Sequence, residues 1–487
     1  MLTFGGMSVN LNTEPVWLRF RYACPLPAPS EFVRRLTSVA TNLLQKATMF
    51  NTRTLLSAVT LLCVGFQDFL WAEVPDTTET YQGRAEDAPW REQAEKRIEK
   101  IRKADLTLVV KDQHGNPIGN AQLEVKQQSH AFWFGTEIRG LLIISDPQYL
   151  KWKGTSEEDA QKYRDVAKKF FNITAFGNDL VYNFWYNRGK ETSVRVWDEW
   201  LDTNGIALRG IPLVWSGKHD WKNPPELMAL PKEQLRKRLN THITEIMETL
   251  DGKCVMWDVL NEPISEPYFV DVLGREEAVK WYKLAREMEP QAKLYCNDYS
   301  ILLDREKLDQ FIELVQSLLN SGAPIDGVSP QSHLWQGQPL PSMESLKEQF
   351  DLLAELGLEI YPDQFEVINS DEQLQADYTR DFYIMAFSHP AVVGVTHWGF
   401  WEGDIWMKQA SWFRKDWSPT PCGEAMMDLL YKKWWTEIEG KTDPQGHFTT
   451  RGFLGKYDVT VKASNQTKKV TLEIPQAGAI ADITMQL

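Results

Sequence analysis

The chain has 487 residues, of which 43% are hydrophobic and 25% charged, as in an ordinary soluble globular protein. Its formal net charge of −14 at pH 7 argues against a nucleic-acid partner, because binding to phosphates requires basic patches. The length exceeds one average domain and accommodates a large barrel with additional segments.

Residues 1–72 are predicted to form a leader. Met49 begins the short basic segment Met-Phe-Asn-Thr-Arg-Thr, which is followed by an apolar run over 55–66 and a small residue at Ala72. These features are typical of a secretory signal peptide, and the apolar run is too short to span a bilayer. We therefore expect translation to start at Met49 and the mature protein to be secreted or periplasmic, without a membrane partner once the leader is removed.

Residues 73–128 predict a polar linker followed by a small β module. A charged helix over 92–103 leads into two strands, over 105–111 and 121–126, in which apolar and polar side chains alternate. The residues between these strands are typical of a turn.

Residues 436–487 predict a second small β module. The segments 452–461 and 469–474 alternate between apolar and polar side chains and are separated by polar turns. Nothing in the two terminal patterns specifies whether the two modules pack together.

Between the modules, residues 129–435 alternate short apolar runs with longer amphipathic segments, as βα units do. The eight candidate strands lie at 132–136, 173–177, 208–215, 254–260, 292–297, 326–331, 358–366 and 392–398. This pattern predicts an α/β fold, a (β/α)8 TIM barrel with small β modules at both ends. An open doubly wound sheet is the alternative, but no glycine-rich phosphate loop follows the first strand.

Polar side chains follow several of these strands, and in a barrel the carboxyl ends of the strands converge on one functional face. The clusters are Asn178, Asn261-Glu262, Asn297-Asp298-Tyr299 and Gln331-Ser332-His333. We expect Asp298 and Tyr299 to shape their loop and the other clusters to form one site.

Metal and thiol chemistry are not indicated. No cluster of His, Cys and Asp has metal-ligand spacing, and no serine lies in a nucleophile elbow. We therefore expect no metal or other cofactor, and no disulfide framework from the five cysteines. These are Cys24, Cys63, Cys254, Cys296 and Cys422.

The segment from Trp257 to Pro263 carries the strongest single signal. It places Glu262 at the end of an apolar strand, directly after the amide of Asn261. Partial burial raises the pKa of such a carboxyl group, which suits it to protonate a glycosidic oxygen. The other interpretation is that Glu262 caps the next helix, but the convergence of further polar clusters favours the catalytic one.

Seven stretches, in this order and at barrel spacing, resemble glycoside hydrolase family 10, the retaining β-1,4-xylanases, and especially the branch with a small β module before the barrel. The resemblance runs from about residue 98 to 435. The stretches are 131–135 (AFWFG), 209–215 (RGIPLVW), 257–263 (WDVLNEP), 296–300 (CNDYS), 331–334 (QSHL), 375–382 (QADYTRDF) and 397–402 (HWGFWE).

A retaining reaction needs two carboxyl groups about 5–5.5 Å apart, one as acid/base and one as nucleophile. The resemblance implies that Glu262 is the acid/base and that the nucleophile position, on the seventh strand, is occupied by Gln364. An amide cannot supply the anionic oxygen that forms a glycosyl-enzyme. The resemblance also implies that Glu366 supports His333, which in turn orients the nucleophile.

Three interpretations of Gln364 are open. Glu366, two residues further along the strand and on the same face, serves as nucleophile after a local backbone shift. The protein is a catalytically weak or binding-only relative. A water activated by Glu366 or Asp363 attacks directly, with an inverting outcome.

Other departures from the family pattern concern the sugar next to the cut. A family histidine corresponds to Ile211, and a family Glu and Lys on either side of Asn178 correspond to Gly177 and Val181. These coordinated losses indicate a changed sugar or changed chemistry.

The retained groups still predict a sugar site of aromatic surface and a few polar groups, and the 20 tryptophans exceed what a core needs. The predicted substrate-binding residues are Asn178, Asn261, Gln331 and His333 as hydrogen-bonding groups and Trp215, Trp398 and Trp406 as apolar walls.

The sequence as a whole therefore predicts a glycoside hydrolase that cleaves β-1,4-xylosidic bonds in xylan or a related plant polysaccharide, with Gln364 at the usual nucleophile position. The alternative is a weak or inactive protein that binds xylan or oligosaccharides. A structural adhesin that uses the barrel as a scaffold is a third class, which predicts no convergence of polar groups. The pattern carries no signal for the oligomeric state.

Overall fold

A computed structural model describes residues 80–486 of the chain. The predicted leader over 1–72, with Cys24 and Cys63, lies outside these residues. Among the described residues, Cys254, Cys296 and Cys422 are buried free thiols, as expected. No helix in this part of the chain is long and apolar enough to cross a membrane.

Seventeen strands lie within residues 80–486. They are β1 Lys103–Asp112, β2 Gln122–His130, β3 Trp133–Ile138, β4 Ile173–Phe176, β5 Ala207–Gly210, β6 Val214–Trp215, β7 Cys254–Asn261, β8 Lys293–Tyr299, β9 Gly327–Trp335, β10 Glu359–Ile360, β11 Asp363–Ile368, β12 Gly394–His397, β13 Glu437–Lys441, β14 His447–Phe453, β15 Gly455–Ala463, β16 Gln466–Ile474 and β17 Ala479–Met485.

The helical segments lie mainly between the barrel strands. The α-helices are Pro89–Ile101, Gly140–Ile143, Pro147–Lys153, Glu157–Phe170, Tyr182–Phe184, Lys190–Val196, Asp202–Asn204, Pro225–Met228, Lys232–Thr249, Tyr268–Leu273, Arg275–Met288, Arg305–Asn320, Met343–Ala354, Glu372–Ser388 and Pro421–Asp428. Shorter π segments span Trp185–Gly189, Trp197–Leu201 and Leu429–Lys433, and 3₁₀ turns span Glu402–Asp404 and Lys408–Ala410.

Eight parallel strands close into a barrel in the order β3, β4, β5, β7, β8, β9, β11, β12 and back to β3. Helices lie between them, so the structure confirms the predicted (β/α)8 TIM barrel. Two predicted strands are interrupted: the third divides into β5 and β6, and the seventh into β10 and β11.

The helix Arg305–Asn320 illustrates why these segments fold as they do. Asp304 caps its first turn by accepting hydrogen bonds from the backbone N–H groups of Glu306 and Lys307. Its buried residues recur at spacings of three and four and form one apolar face toward the barrel. These residues are Leu308, Phe311, Leu314, Val315 and Leu318.

The segments on either side of the barrel, over 103–130 and 437–485, form one β sandwich. In one sheet β1 pairs antiparallel with β14 and parallel with β17, and in the other β2 lies between β13 and β15. Side chains from both ends share one buried cluster, including Leu108 of β1 and Val459 of β15. The two modules treated separately in the sequence are therefore a single unit.

The segment 452–461, expected as one strand, is broken between β14 and β15. Gly455 has a φ of 145° and lies so close to the backbone of Ser129 that a Cβ would collide with the Ser129 carbonyl. Only glycine fits this corner, where the chain crosses from one sheet to the other.

A buried charge cluster fills the barrel interior beneath the strand ends. Nη2 of Arg209 on β5 donates to both carboxylate oxygens of Asp258 on β7 at 2.7 Å, and Nη1 lies 3.4 Å from Oδ1 of Asp363 on β11. The guanidinium lies 4.4 Å from the ring centroid of Tyr361. All three charged side chains are fully buried, so the two carboxylates depend on this arginine for compensation.

We expect Arg209→Met to lower the free energy of unfolding by about 3–5 kcal/mol, because it leaves Asp258 and Asp363 buried without their cation. Chemical denaturation followed by circular dichroism measures this change. Arg195→Met is the matched control, because the exposed Arg195–Glu199 pair contributes about 0.5 kcal/mol or less. Equal losses in the two variants would contradict the role given to Arg209.

Candidate active site

Glu262 lies at the carboxyl end of β7 and points into the barrel mouth, the face formed by the carboxyl ends of the barrel strands. Its φ of 58° turns the chain here, and its N–H donates to the Asn297 carbonyl at 2.7 Å. Oε1 accepts from Gln331 Nε2 at 2.9 Å and Oε2 from Trp215 Nε1 at 2.7 Å. These contacts hold both carboxyl oxygens in fixed directions.

Burial raises the pKa of Glu262, and the positive charge of Lys222 opposes this rise. The Lys222 Nζ atom lies 3.7 Å from Oε2 of Glu262 and donates to Glu266 at 2.7 Å. A raised pKa is the property that a general acid requires.

On the opposite side of the mouth, His333 of β9 links two side chains of β11. Its Nε2 lies 3.1 Å from Oε1 of Gln364, and its Nδ1 lies 2.6 Å from Oε1 of Glu366. Trp406 donates to the other oxygen of Glu366 at 2.9 Å. Burial lowers the pKa of His333, but the charge of Glu366 and the hydrogen bonds outweigh burial and raise it.

The positions of Gln364 and Glu366 differ in access to the mouth. Gln364 has a φ of 50°, coincides with an irregular register between β11 and β9, and is 9% exposed. Glu366 and Asp363 are fully buried: Glu366 is held by His333 and Trp406, and Asp363 by Arg209 and Asn297. Gln364 is therefore the residue of this strand that faces the mouth.

The other predicted site residues lie around the same face. Asn261 is buried beside Gln331, whose Nε2 also donates to Asn297 Oδ1 at 2.8 Å, and Asn178 is half-buried in the turn after β4. The half-buried indoles are Trp215 beside Glu262, Trp406 beside Glu366 and Trp398 directly after β12. Asp298 accepts from Ile264, Ser265 and Tyr299, which agrees with its predicted loop-shaping part.

The structure adds Glu137 to the candidate site, a residue that the sequence analysis did not identify. Glu137 is fully buried on β3, and Arg139 Nη1 lies 2.8 Å from its Oε1. A Cβ at position 177 would collide with this oxygen, so Glu137 occupies the space that the absent side chain of Gly177 leaves. The only sequence signal was a lone acid in an apolar strand beside a glycine on the next strand.

Burial raises the pKa of Glu137 to about 7, with further contributions from Asp404 and Asp179, although Arg139 lowers it. Arg139 also lowers the pKa of Glu366, which burial raises. The Glu137–Arg139 pair thus extends the charged network of the mouth from β11 to β3.

Comparison with known proteins gives one consistent result. A model described as glycosyl hydrolase family 10 matches residues 150–429. The chain is 30% identical over 406 residues to the anti-sigma-I factor RsgI6 of Acetivibrio thermocellus, with coverage of 82% of this chain and 50% of that protein. It is 25% identical over 382 residues to endo-1,4-beta-xylanase 1 of Arabidopsis thaliana, with coverage of 77% and 38%. The chain thus spans half or less of these curated relatives.

Solved structures give the same result for the barrel. Native xylanase 10B from Thermotoga maritima matches with a TM-score of 0.53 and 25% identity, with coverage of 62% of this chain and 96% of that one. Xylanase 10B from Thermotoga petrophila RKU-1, solved in complex with xylobiose, matches with a TM-score of 0.52 and 24% identity, with coverage of 62% and 95%. The second likeness concerns the fold alone.

Glu137→Gln should change the pH dependence of stability. Because the folded-state pKa of Glu137 is about 7 against an ordinary 4.5, unfolding releases a proton between these values. As pH rises from below 4.5 to above 7, the free energy of unfolding of the wild type should therefore fall by roughly 3 kcal/mol relative to that of Glu137→Gln. Urea denaturation across this range measures the difference, and a difference that does not vary with pH would disprove the assignment.

Proposed function

Since the chain belongs to glycosyl hydrolase family 10, we propose that it acts on β-1,4-linked xylan or a related plant polysaccharide, with Glu262 as the acid/base. The buried carboxyl group at the end of β7, held by Trp215 and Gln331, supports this role. A polymer of this kind does not enter cells, which agrees with the predicted secreted or periplasmic location.

In this proposal the polysaccharide lies across the barrel mouth between two groups of aromatic side chains. Trp215 flanks Glu262, and Trp406 flanks the His333–Glu366 pair. The amides of Asn178, Asn261 and Gln331 exchange hydrogen bonds with sugar hydroxyls. Glu262 donates its proton to the glycosidic oxygen as the bond to the leaving sugar breaks.

Cleavage is slow because the group opposite Glu262 is an amide. The single observation that carries this part of the proposal is the contact of His333 Nε2 with Oε1 of Gln364, backed by Glu366 on Nδ1. The family nucleophile is expected at this place, and Gln364 cannot form a glycosyl-enzyme. Glu366 and Asp363 do not replace it, because both are fully buried and paired. The same burial disfavours water activation by either group.

The second candidate function is binding without cleavage. The burial of both carboxylates of β11 favours it, because the mouth then offers hydrogen-bonding and aromatic groups without an accessible second carboxylate. The two candidates share the ligand and differ in whether any bond is broken.

Gln364→Glu should raise hydrolysis of xylan by orders of magnitude, because it supplies a carboxylate of nearly identical size within reach of His333. The gain is limited by the apolar residues at 181 and 211. Release of reducing sugar measures it. Gln316→Glu, which adds the same charge on the exposed face of the helix Arg305–Asn320, is the control and should change nothing.

Full activity of the wild type, abolished by Glu366→Gln, would instead make Glu366 the nucleophile. Tight oligosaccharide binding with no gain in Gln364→Glu would favour the binding function.

Glu262→Gln, made in the Gln364→Glu background, should lower kcat on order of 10²–10⁴-fold, because the amide keeps the size of the side chain but has no proton to give. Affinity for xylo-oligosaccharides, measured by calorimetry, should change little. A double variant that retains most of its kcat would rule out Glu262 as the acid/base.

A further inference from the structure

Lys222 is a buried ammonium group beside the proposed acid/base. Its side chain is 6% exposed, and Nζ lies 2.7 Å from Oε2 of Glu266, 3.7 Å from Oε2 of Glu262 and 3.7 Å from the ring centroid of Trp215. A buried ammonium is stable only where carboxylates or aromatic faces compensate its charge. Lys222 has both kinds of partner, the carboxylates of Glu266 and Glu262 and the aromatic ring of Trp215, and these partners lie at the barrel mouth.

The loop after β6, over 216–224, is built around this lysine. A Cβ at Gly217 would collide with the carboxylate of Glu266 and lie 2.7 Å from Cδ of Lys222, so the glycine makes room for the ion pair. Asn223 donates to the carbonyl oxygens of Trp215 and Gly217 at 2.8 Å each. The N–H of Lys222 donates to the His219 carbonyl at 2.8 Å. The ammonium position is therefore fixed by the fold of the loop.

The charges that face Glu262 come from three elements. Lys222 and His219 belong to the loop after β6, and Glu266 belongs to the turn after β7. Nε2 of His219 lies 3.7 Å from Oε1 of Glu266. The phenol of Tyr299, at the end of β8, lies within electrostatic range of Glu262. Across the mouth stands the neutral amide of Gln364.

We propose that Lys222 is a positioning residue that acts through Glu262: anchored by Glu266, its ammonium lies against the ring of Trp215, which donates to Oε2, and stabilises the ionised carboxylate. This inference rests on the proposed function of Glu262. An anionic nucleophile opposite an acid favours the protonated acid, since like charges repel. Here Gln364 is neutral and adds no such repulsion. The cation of Lys222 favours the ionised form of Glu262, and the negative charge of Glu266 opposes it.

The consequence concerns the pH range of proton donation. Burial raises the pKa of Glu262, and Lys222 limits the rise. Without Lys222, Glu262 keeps its proton to higher pH and donates it over a wider range. Without the negative charge of Glu266, the uncompensated ammonium lowers the pKa of Glu262 more strongly. The pH range over which Glu262 can donate its proton then narrows.

The test is a pH titration of the Glu262 carboxyl carbon by NMR, in protein labelled with carbon-13 glutamate and with the signal assigned by its loss in Glu262→Gln. Lys222→Met should move the midpoint upward and Glu266→Gln should move it downward. Lys222→Arg should keep the wild-type midpoint. Lys218→Met is the matched control: its ammonium lies 4.7 Å from the ring of Tyr268, and removing it should leave the midpoint unchanged.

A midpoint that stays or falls in Lys222→Met would overturn the proposal, as would shifts of equal sign in the two charge variants, which a merely structural role would give. Should Lys222→Met fail to fold, Glu266→Gln tests the same coupling. In the Gln364→Glu background, the alkaline limb of kcat/KM should shift in the same directions. The NMR titration does not require catalytic activity. If no variant cleaves xylan, that result counts against the proposed function, whereas the titration still decides the role of Lys222.

Discussion

The buried arginine in the barrel interior holds the functional face in register. Asp258, which accepts from Arg209, also accepts from Nδ2 of Asn297 at 3.1 Å. The oxygen of the same Asn297 amide accepts from Gln331, whose Nε2 donates to Glu262 as well. A continuous chain of hydrogen bonds thus runs from the centre of the barrel to the carboxyl group of Glu262, the proposed acid/base.

The other branch of this cluster reaches the opposite side of the mouth. Asp363, within 3.4 Å of the guanidinium, immediately precedes Gln364 in β11. One cation therefore supports the strands that carry both groups flanking the proposed substrate. The interior of such a barrel is filled by side chains from alternate strands, and here Arg209 joins the side chains of three of these strands within it.

The barrel and Glu262 could be predicted from the sequence because their signals are local. An apolar strand followed by an amphipathic helix is visible in a short window, and Glu262 lies in one contiguous segment. The pairing of β1 with β14 and β17 could not be predicted, since strand alternation does not specify a distant partner. Lys222 escaped notice because a lone lysine in a polar loop indicates exposure, and only the folded loop buries it.

The neutral amide at 364 changes the electrostatic character of the mouth as well as its chemistry. The active site of a retaining enzyme holds two carboxyl groups whose negative charges repel each other, and this repulsion raises the pKa of one of them and keeps it protonated. Here Nδ1 of His333 lies 2.6 Å from Glu366 and the ammonium of Lys222 lies 3.7 Å from Glu262, so each carboxyl group has a basic side chain of its own beside it.

The sandwich, whose strands lie on either side of the barrel in the sequence, has a consequence for how the protein is synthesised. Lys111 of β1 and Asp482 of β17 pair across 371 positions of sequence. At roughly 5–20 residues per second, β1 leaves the ribosome something like 20–75 s before its parallel partner exists. During synthesis β1 therefore stays without its sheet partners until β14 and β17, which follow all the barrel strands in the chain, have been translated.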